Sequence, residues 1–269
     1  TPAPQLTETP APPTPLPSPT PAPPTPQPSP TPLPTVEILD SNTPVEAIIA
    51  QTRAAEWKDR WDAVNFIGLE EIEQGMDALI ERSLIDENPH PRWRSLWAIA
   101  TIDPTGEAAL DDFLIALDDD DATIAGNAAI ALAFFDHDAA REPLIALMTH
   151  EDEYRRWEAV FSMRNVPGDG VVDVVVAHLD HATEPDIRVR QESALALGGL
   201  GDASTVVGPL VQALGSDPSP QVRWRAALSL KRLGDASILE DLREALDSEE
   251  DSQVVEQINE TIEALESSF

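Results

Sequence analysis

An arginine followed directly by a tryptophan occurs four times in this sequence, as Arg60 with Trp61, Arg92 with Trp93, Arg156 with Trp157 and Arg223 with Trp224. Exposed tryptophan rings are surfaces on which proline-rich segments dock, and buried ones contribute strongly to packing. The pairs therefore predict either an exposed binding ladder of aromatic and arginine side chains or a set of wedges between neighbouring helices.

Acidic clusters are the second feature that could do chemistry. Asp118, Asp119, Asp120 and Asp121 are consecutive and offer the carboxylate oxygens that Ca²⁺ prefers, although they lack the spacing of a defined calcium loop. Acids that precede a helix also stabilise its N-terminus, which is the alternative interpretation. His178 and His181 lie three residues apart without an evident third ligand. The aspartates are candidate cation ligands, and we predict no bound metal or other cofactor.

Residues for covalent or phosphoryl chemistry are missing from the sequence. It contains no cysteine, so it has neither a thiol nucleophile nor a disulfide framework. It has no glycine-rich phosphate loop and no serine nucleophile elbow. We therefore predict no catalytic residue and a protein that is not an enzyme.

The arginine–tryptophan pairs lie on a regular ladder of repeats that must position them. Repeats start near residues 60, 92, 125, 156, 190 and 223, with 31 to 34 residues between one start and the next. This period is typical of helical solenoids. Apolar residues stand four and seven positions after each start, which places both on one helical face. Each repeat is predicted to form a helical hairpin.

The repeats resemble a known family. VRQESALALGGLGD at 189–202 and VRWRAALSLKRLGD at 222–235 are near copies, and Pro143 and Pro209 stand early in second helices. Over about residues 55–251 the chain is similar to the short HEAT-like repeats of phycobilisome-lyase-type solenoids. The resemblance implies an all-α fold, a right-handed α-solenoid of about six HEAT-like hairpins. It also implies a remote alternative, a bilin-lyase-like enzyme, although no residue here matches a catalytic motif.

Polar covers are predicted at both ends of the solenoid, which we place at residues 36–269. Thr43-Pro44-Val45-Glu46 reads as a capping box that opens a covering helix within 43–56. Ser252 is the predicted cap of a second covering helix at 252–267. End covers are expected because no terminal hairpin can bury both of its faces.

Residues 1–35 have a different composition, dominated by proline, threonine and serine, with Glu8 as the only charge. Proline fixes φ and removes amide donors, so we predict an extended polyproline II arm or stalk. Its hydroxyl residues before proline are typical of O-glycosylated stalks. The candidate positions are Thr14, Ser18, Thr20, Thr25, Ser29 and Thr31.

Charge restricts the partners and the location that we expect. The net charge of −32 disfavours nucleic acid and anionic membranes as partners, and no apolar run is long enough to cross a membrane. The sequence begins without methionine, which fits a processed, exported chain. We expect an extracellular or cell-surface protein without membrane insertion.

These features together predict a non-enzymatic scaffold whose partners are other protein chains, first of all copies of itself, with glycans as a further partner of the arm. A polyproline arm and a tryptophan ladder are the two halves of a docking pair. An arm that lies along the next subunit would generate a ring or a filament. The alternative is a monomeric ligand-binding or adhesion module that uses the arm as a spacer.

Overall fold

The computed structural model describes residues 39–267. Within that range the chain forms fourteen α-helices and three short 3₁₀ helices, and no β-strand. The prediction of an all-α fold is therefore confirmed.

Six helical hairpins, flanked by one helix at each end, make up the described range. Helix α1 (Val45–Gln51) comes before them, and α14 (Ser252–Glu266) follows them. The hairpins pair α2 (Trp57–Leu69) with α3 (Met76–Ile85), α4 (Pro89–Ile102) with α5 (Glu107–Ala116), α6 (Ala122–Phe134) with α7 (Arg141–Leu147), α8 (Glu153–Met163) with α9 (Val171–Ala177), α10 (Ile187–Leu200) with α11 (Ala203–Ser216) and α12 (Pro220–Leu233) with α13 (Leu239–Ser248). Each predicted repeat start lies within the first helix of a hairpin.

The core follows the predicted apolar positions. Residues four and seven places after each repeat start are all at most 2% exposed: Val64, Ile67, Leu96, Ile99, Ala129, Leu132, Val160, Met163, Ala194, Leu197, Ala227 and Leu230. Second helices add buried side chains such as Phe113, Val175, Leu210 and Leu242. Burial of this one stripe per helix against the neighbouring repeat supplies the main stabilisation.

The hairpins form two layers. Most first helices pack along the first helix of the next repeat, as α2 does with α4 and α10 with α12, whereas consecutive second helices touch only sparsely. The first helices are therefore the layer through which most neighbouring repeats join.

The helix caps differ in part from the predicted ones. The Thr43 hydroxyl accepts a hydrogen bond from the Asp40 amide at 3.1 Å, so it belongs to a turn and does not cap α1. At α14 the cap is Asp251, whose Oδ1 accepts from the amides of Gln253 at 2.9 Å and Val254 at 3.2 Å. A carboxylate makes stronger, charge-assisted bonds to helix amides than the neighbouring serine hydroxyl does.

Candidate functional site

The arginines of the ladder join each repeat to the next one. Four of the five ladder arginines direct Nε and Nη2 at a single carboxylate 26 to 28 residues further along the chain: Arg60 to Asp86, Arg156 to Glu184, Arg190 to Asp217 and Arg223 to Glu249. The distances lie between 2.6 and 3.3 Å. In each of the four, Nη1 also donates to carbonyls of the loop before its own helix. These planar, two-pronged contacts require arginine.

The ladder arginines are thus part of the framework and not of the accessible surface. Arg60 and Arg190 are only 5% and 3% exposed. Hydrogen bonds from Arg223, opposed by partial burial, hold the pKa of Glu249 below its ordinary value. Two of the acidic partners, Glu184 and Glu249, lie in acidic loops between repeats that the sequence indicated as partners of ladder arginines. Asp86 and Asp217 were not predicted, although the constant spacing from arginine to acid was a signal for them.

The third repeat breaks the ladder, since Ala125 stands where the other five repeats have arginine and Gly126 stands where four of them have tryptophan. Arg92 of the preceding repeat pairs with Glu158 of α8, with 2.9 Å from Nη2 to Oε1. The same Oε1 atom accepts from Trp93 Nε1 at 3.1 Å. A side-chain bridge therefore links the second and fourth repeats across α6, which packs against α3 and has little contact with α4.

Arg155 is the third side chain of this bridge. Its Nη1 atom donates to Glu158 Oε2 at 2.6 Å and to Asn127 Oδ1 at 2.8 Å. A Cβ atom at Gly126 would lie 2.7 Å from Arg155 Nη2, so glycine leaves the room that the guanidinium occupies. Glu158 is fully buried between the two arginines. Burial, together with the charge of Glu158, raises the pKa of Tyr154 to about 12.

On the helices that this bridge joins, six aromatic rings form a continuous chain, which we call the aromatic face: Trp93, Trp97, Phe134, Tyr154, Trp157 and Phe161. Successive ring centroids lie 5.5 Å apart from Trp97 to Phe134, 6.4 Å from Phe134 to Trp93 and 5.4 Å from Trp93 to Phe161. The chain continues at 5.5 Å to Trp157 and at 5.5 Å to Tyr154. The face spans the first helices of three consecutive repeats.

Part of the aromatic face is open to solvent. Trp97 is 58% exposed and Phe161 is 37% exposed, while the other four rings are half-buried. Rings fixed by mutual packing can accept a partner with little loss of side-chain entropy. This arrangement provides an apolar contact surface on the first-helix layer of the solenoid.

The helices that carry the aromatic face are poor in acidic residues. Neither α4 nor α6 contains an aspartate or glutamate, and of the two glutamates in α8 only Glu153 is exposed. The chain as a whole carries a net charge of −32. The face is therefore an apolar band that is poor in acids on a strongly acidic protein, and the Arg164 guanidinium lies over its Phe161 ring at 5.7 Å from the centroid.

The structure brings together only half of the predicted tryptophan ladder. Trp93 and Trp157 belong to the aromatic face, whereas Trp61 is half-buried outside it. Trp224 is 37% exposed and lies in a separate cleft. Sequence reasoning missed Phe134, Tyr154 and Phe161 because they do not stand at the repeated position.

One of the predicted cation ligands caps a helix, and the predicted glycan positions stay predictions. Asp121 accepts the Thr123 amide at 2.8 Å as the cap of α6, and hydrogen bonds from Thr123 lower its pKa. Asp118, Asp119 and Asp120 stay in the same connecting loop, and between residues 39 and 267 no three His, Asp or Glu side chains converge as metal ligands. The six candidate glycosylation positions in residues 1–35 lie outside the described residues. No helix of the described range is long and apolar enough to span a membrane.

Comparisons with known proteins identify the repeat family and show similar folds. The family model described as HEAT repeats matches residues 110–188 and 172–263. YibA of Escherichia coli is 17% identical over 81% of this chain and 81% of its own, with a TM-score of 0.53. No curated protein matches the sequence.

Two further solved structures are similar at lower scores. The CpcE–CpcF complex of phycocyanin lyase from Nostoc sp. PCC7120 is 17% identical over 85% of this chain and 98% of its own, with a TM-score of 0.45. A designed armadillo repeat protein in complex with the peptide (KR)4 is 17% identical over 82% of this chain and 99% of its own, with a TM-score of 0.49. Identities this low report the fold alone. The family match covers more than half of the sequence, and the chain belongs to the HEAT-repeat family.

Proposed function

We propose that this protein is a non-enzymatic HEAT-repeat scaffold that binds an extended polypeptide segment on its aromatic face. The observation that carries the proposal is the unbroken chain of six rings, two of them exposed, on the first-helix layer of the solenoid. Clusters of rigid aromatic side chains are the usual centres of protein-binding energy. The absence of a recognisable catalytic motif supports a binding role over a bilin-lyase-like one.

The segment that suits this face best is proline-rich and uncharged. Proline-rich chains dock on grooves lined by aromatic rings because they are already extended and lose little entropy on binding. A strongly acidic segment would be repelled by a chain with a net charge of −32. Residues 1–35 of this chain are such a segment, with Glu8 as their single charge.

The partner in this proposal is another copy of the chain. The arm of one copy would lie on the aromatic face of the next, which is a head-to-tail contact that forms a ring or an open filament. Residues 1–35 would span roughly 100 Å at about 3.1 Å per residue if extended, which is enough to reach a neighbouring subunit. The protein would then be a structural subunit of a homopolymer.

We place this assembly outside the cell or on its surface. The support is compositional, because Pro/Thr/Ser stalks commonly carry O-linked sugars in exported proteins. Fractionation of the source cells, followed by intact mass measurement of the native chain, tests both points. Recovery of the chain in the cytosol with an unmodified mass would contradict this location and the glycosylation of the arm.

The mass of the full chain in solution, measured by light scattering after size-exclusion chromatography, tests the assembly. We expect a mass well above 29.1 kDa, which falls to that of a monomer when residues 1–35 are deleted. Trp97→Ala, on the aromatic face, is expected to weaken assembly as the deletion does. Ile115→Ala is the matched control, because Ile115 is 73% exposed on the second-helix layer.

Three results would contradict the proposal. Assembly that survives deletion of the arm would exclude the arm as the connector. Assembly that is equally sensitive to Ile115→Ala and to Trp97→Ala would exclude the aromatic face as the docking site. A full chain that is monomeric at every concentration would leave the arm as a spacer and favour the ligand-binding or adhesion module.

A further inference from the structure

A second recess on the first-helix layer surrounds Trp224, apart from the aromatic face. It lies where α10 and α12 meet the start of α14, and its volume is about 370 Å³. Ligand pockets in proteins begin at about 300 Å³. The indole ring is 37% exposed and contacts no other aromatic ring of the described range. One face of the ring is therefore open to a small ligand.

The walls of this cleft are polar and uncommitted. The side chains of Gln191 and Gln253 make no hydrogen bond within residues 39–267. The carboxylate nearest to Arg225 is Glu192 at 3.8 Å, which is too far for a hydrogen bond. Asp251 uses Oδ1 to cap α14, which leaves Oδ2 without a donor from the described chain. Donors and acceptors thus surround one exposed aromatic ring.

The mixture of donors and acceptors selects the class of ligand. A proline-rich peptide offers carbonyl acceptors but few N–H donors, so it would leave Asp251 and the glutamine oxygens unpaired. An anion would be repelled by Asp251 and by the net charge of −32. A neutral sugar offers hydroxyl groups that both donate and accept, and its C–H face can pack flat on an indole ring. Of these three ligand classes, the neutral sugar pairs with most of the polar lining and also covers the exposed ring.

We propose that this cleft is a binding site for a neutral saccharide, with one sugar ring stacked on Trp224. In this arrangement Arg225 donates to ring hydroxyls, Asp251 Oδ2 accepts from them, and Gln191 and Gln253 do both. The site is independent of the aromatic face, because none of the six rings of that face lines it.

The test titrates the full chain with glucose, galactose and N-acetylgalactosamine. Binding is read by saturation-transfer difference NMR on the sugar protons, which works for a monomer and for a polymer alike. We expect at least one sugar to give a saturable transfer signal. Trp224→Ala should weaken that sugar's binding at least about tenfold. Gln191→Ala should weaken it less, and Trp97→Ala should leave it unchanged.

Three results would overturn the proposal. They are no saturable transfer signal with any of the three sugars, equal sugar affinity in Trp224→Ala, and, in place of sugar binding, saturation transfer to a peptide of residues 9–30 that Trp224→Ala abolishes. Circular dichroism melting of each variant shows whether it is folded. Since the assembly assay depends on Trp97 and the arm, its outcome does not affect this one.

Discussion

Glu158→Gln barely changes the shape of the side chain, but we expect it to lower the free energy of unfolding of this solenoid strongly. The carboxylate is fully buried and accepts from Arg92, Trp93 and Arg155 at 2.9, 3.1 and 2.6 Å. Both arginines are 8% exposed, so they depend on this one anion for compensation. Glutamine keeps the volume but removes the charge, and its amide group would point a donor at a donor.

The expected loss follows from that geometry. Removal of one partner from a buried ion pair destabilises proteins by about 3–5 kcal/mol, because the remaining charge stays buried. Here two guanidinium groups are left behind, and hydrogen bonds to charged groups contribute about 1.5–3 kcal/mol each. We therefore expect Glu158→Gln to lower the free energy of unfolding by about 3–5 kcal/mol.

Urea unfolding at pH 7, followed by both tryptophan fluorescence and circular dichroism, measures this loss. Glu192→Gln is the matched control, because Glu192 occupies the same repeat position and is 6% exposed, but the side chains of its partners Arg164 and Arg225 are 38% and 31% exposed. Water can compensate those arginines, so we expect only about 1 kcal/mol there. Equal losses in the two variants, or a loss below about 1 kcal/mol for Glu158→Gln, would refute the bridge.

Three further predictions concern the framework around the site. Arg190→Leu leaves the buried carboxylate of Asp217 unpaired, so it should lower the free energy of unfolding in urea by about 3–5 kcal/mol. Arg243→Ala removes a half-exposed pair with Glu266 and should lower it by no more than about 1 kcal/mol. Tyr154 is the single tyrosine, so its absorbance titration should give a pKa near 12, and the stability that it contributes should be lost as the pH rises from about 10 to about 12. Gly126→Ala should lower the free energy of unfolding by about 1–3 kcal/mol, because the added methyl group collides with the guanidinium of Arg155. Gly199→Ala faces open space in a helix and should raise that free energy by about 0.5–1 kcal/mol; thermal unfolding measures both. An ordinary pKa for Tyr154, equal losses of stability in the two arginine variants, or equal effects of the two glycine variants would each contradict the packing described.

The sequence by itself determined the hairpins and their core. A period of 31 to 34 residues and apolar positions such as Val64 and Ile67 depend only on helical geometry, which repeats locally along the chain. Those positions could be assigned without any long-range information. The solenoid and its buried stripe followed from them.

Only the tertiary structure decided which surface is accessible. The ladder arginines look alike in sequence, but Arg60 pairs with Asp86 in the loop that leads to the next repeat, whereas Arg92 reaches Glu158 two repeats further on. Gly126 leaves the space for Arg155, which shares Glu158 with Arg92, and no local pattern encodes that meeting. Phe134 and Phe161 likewise join the aromatic face through the packing of neighbouring helices. Helical periodicity fixes which face of a helix is apolar, while the partner of each side chain depends on how separate helices meet.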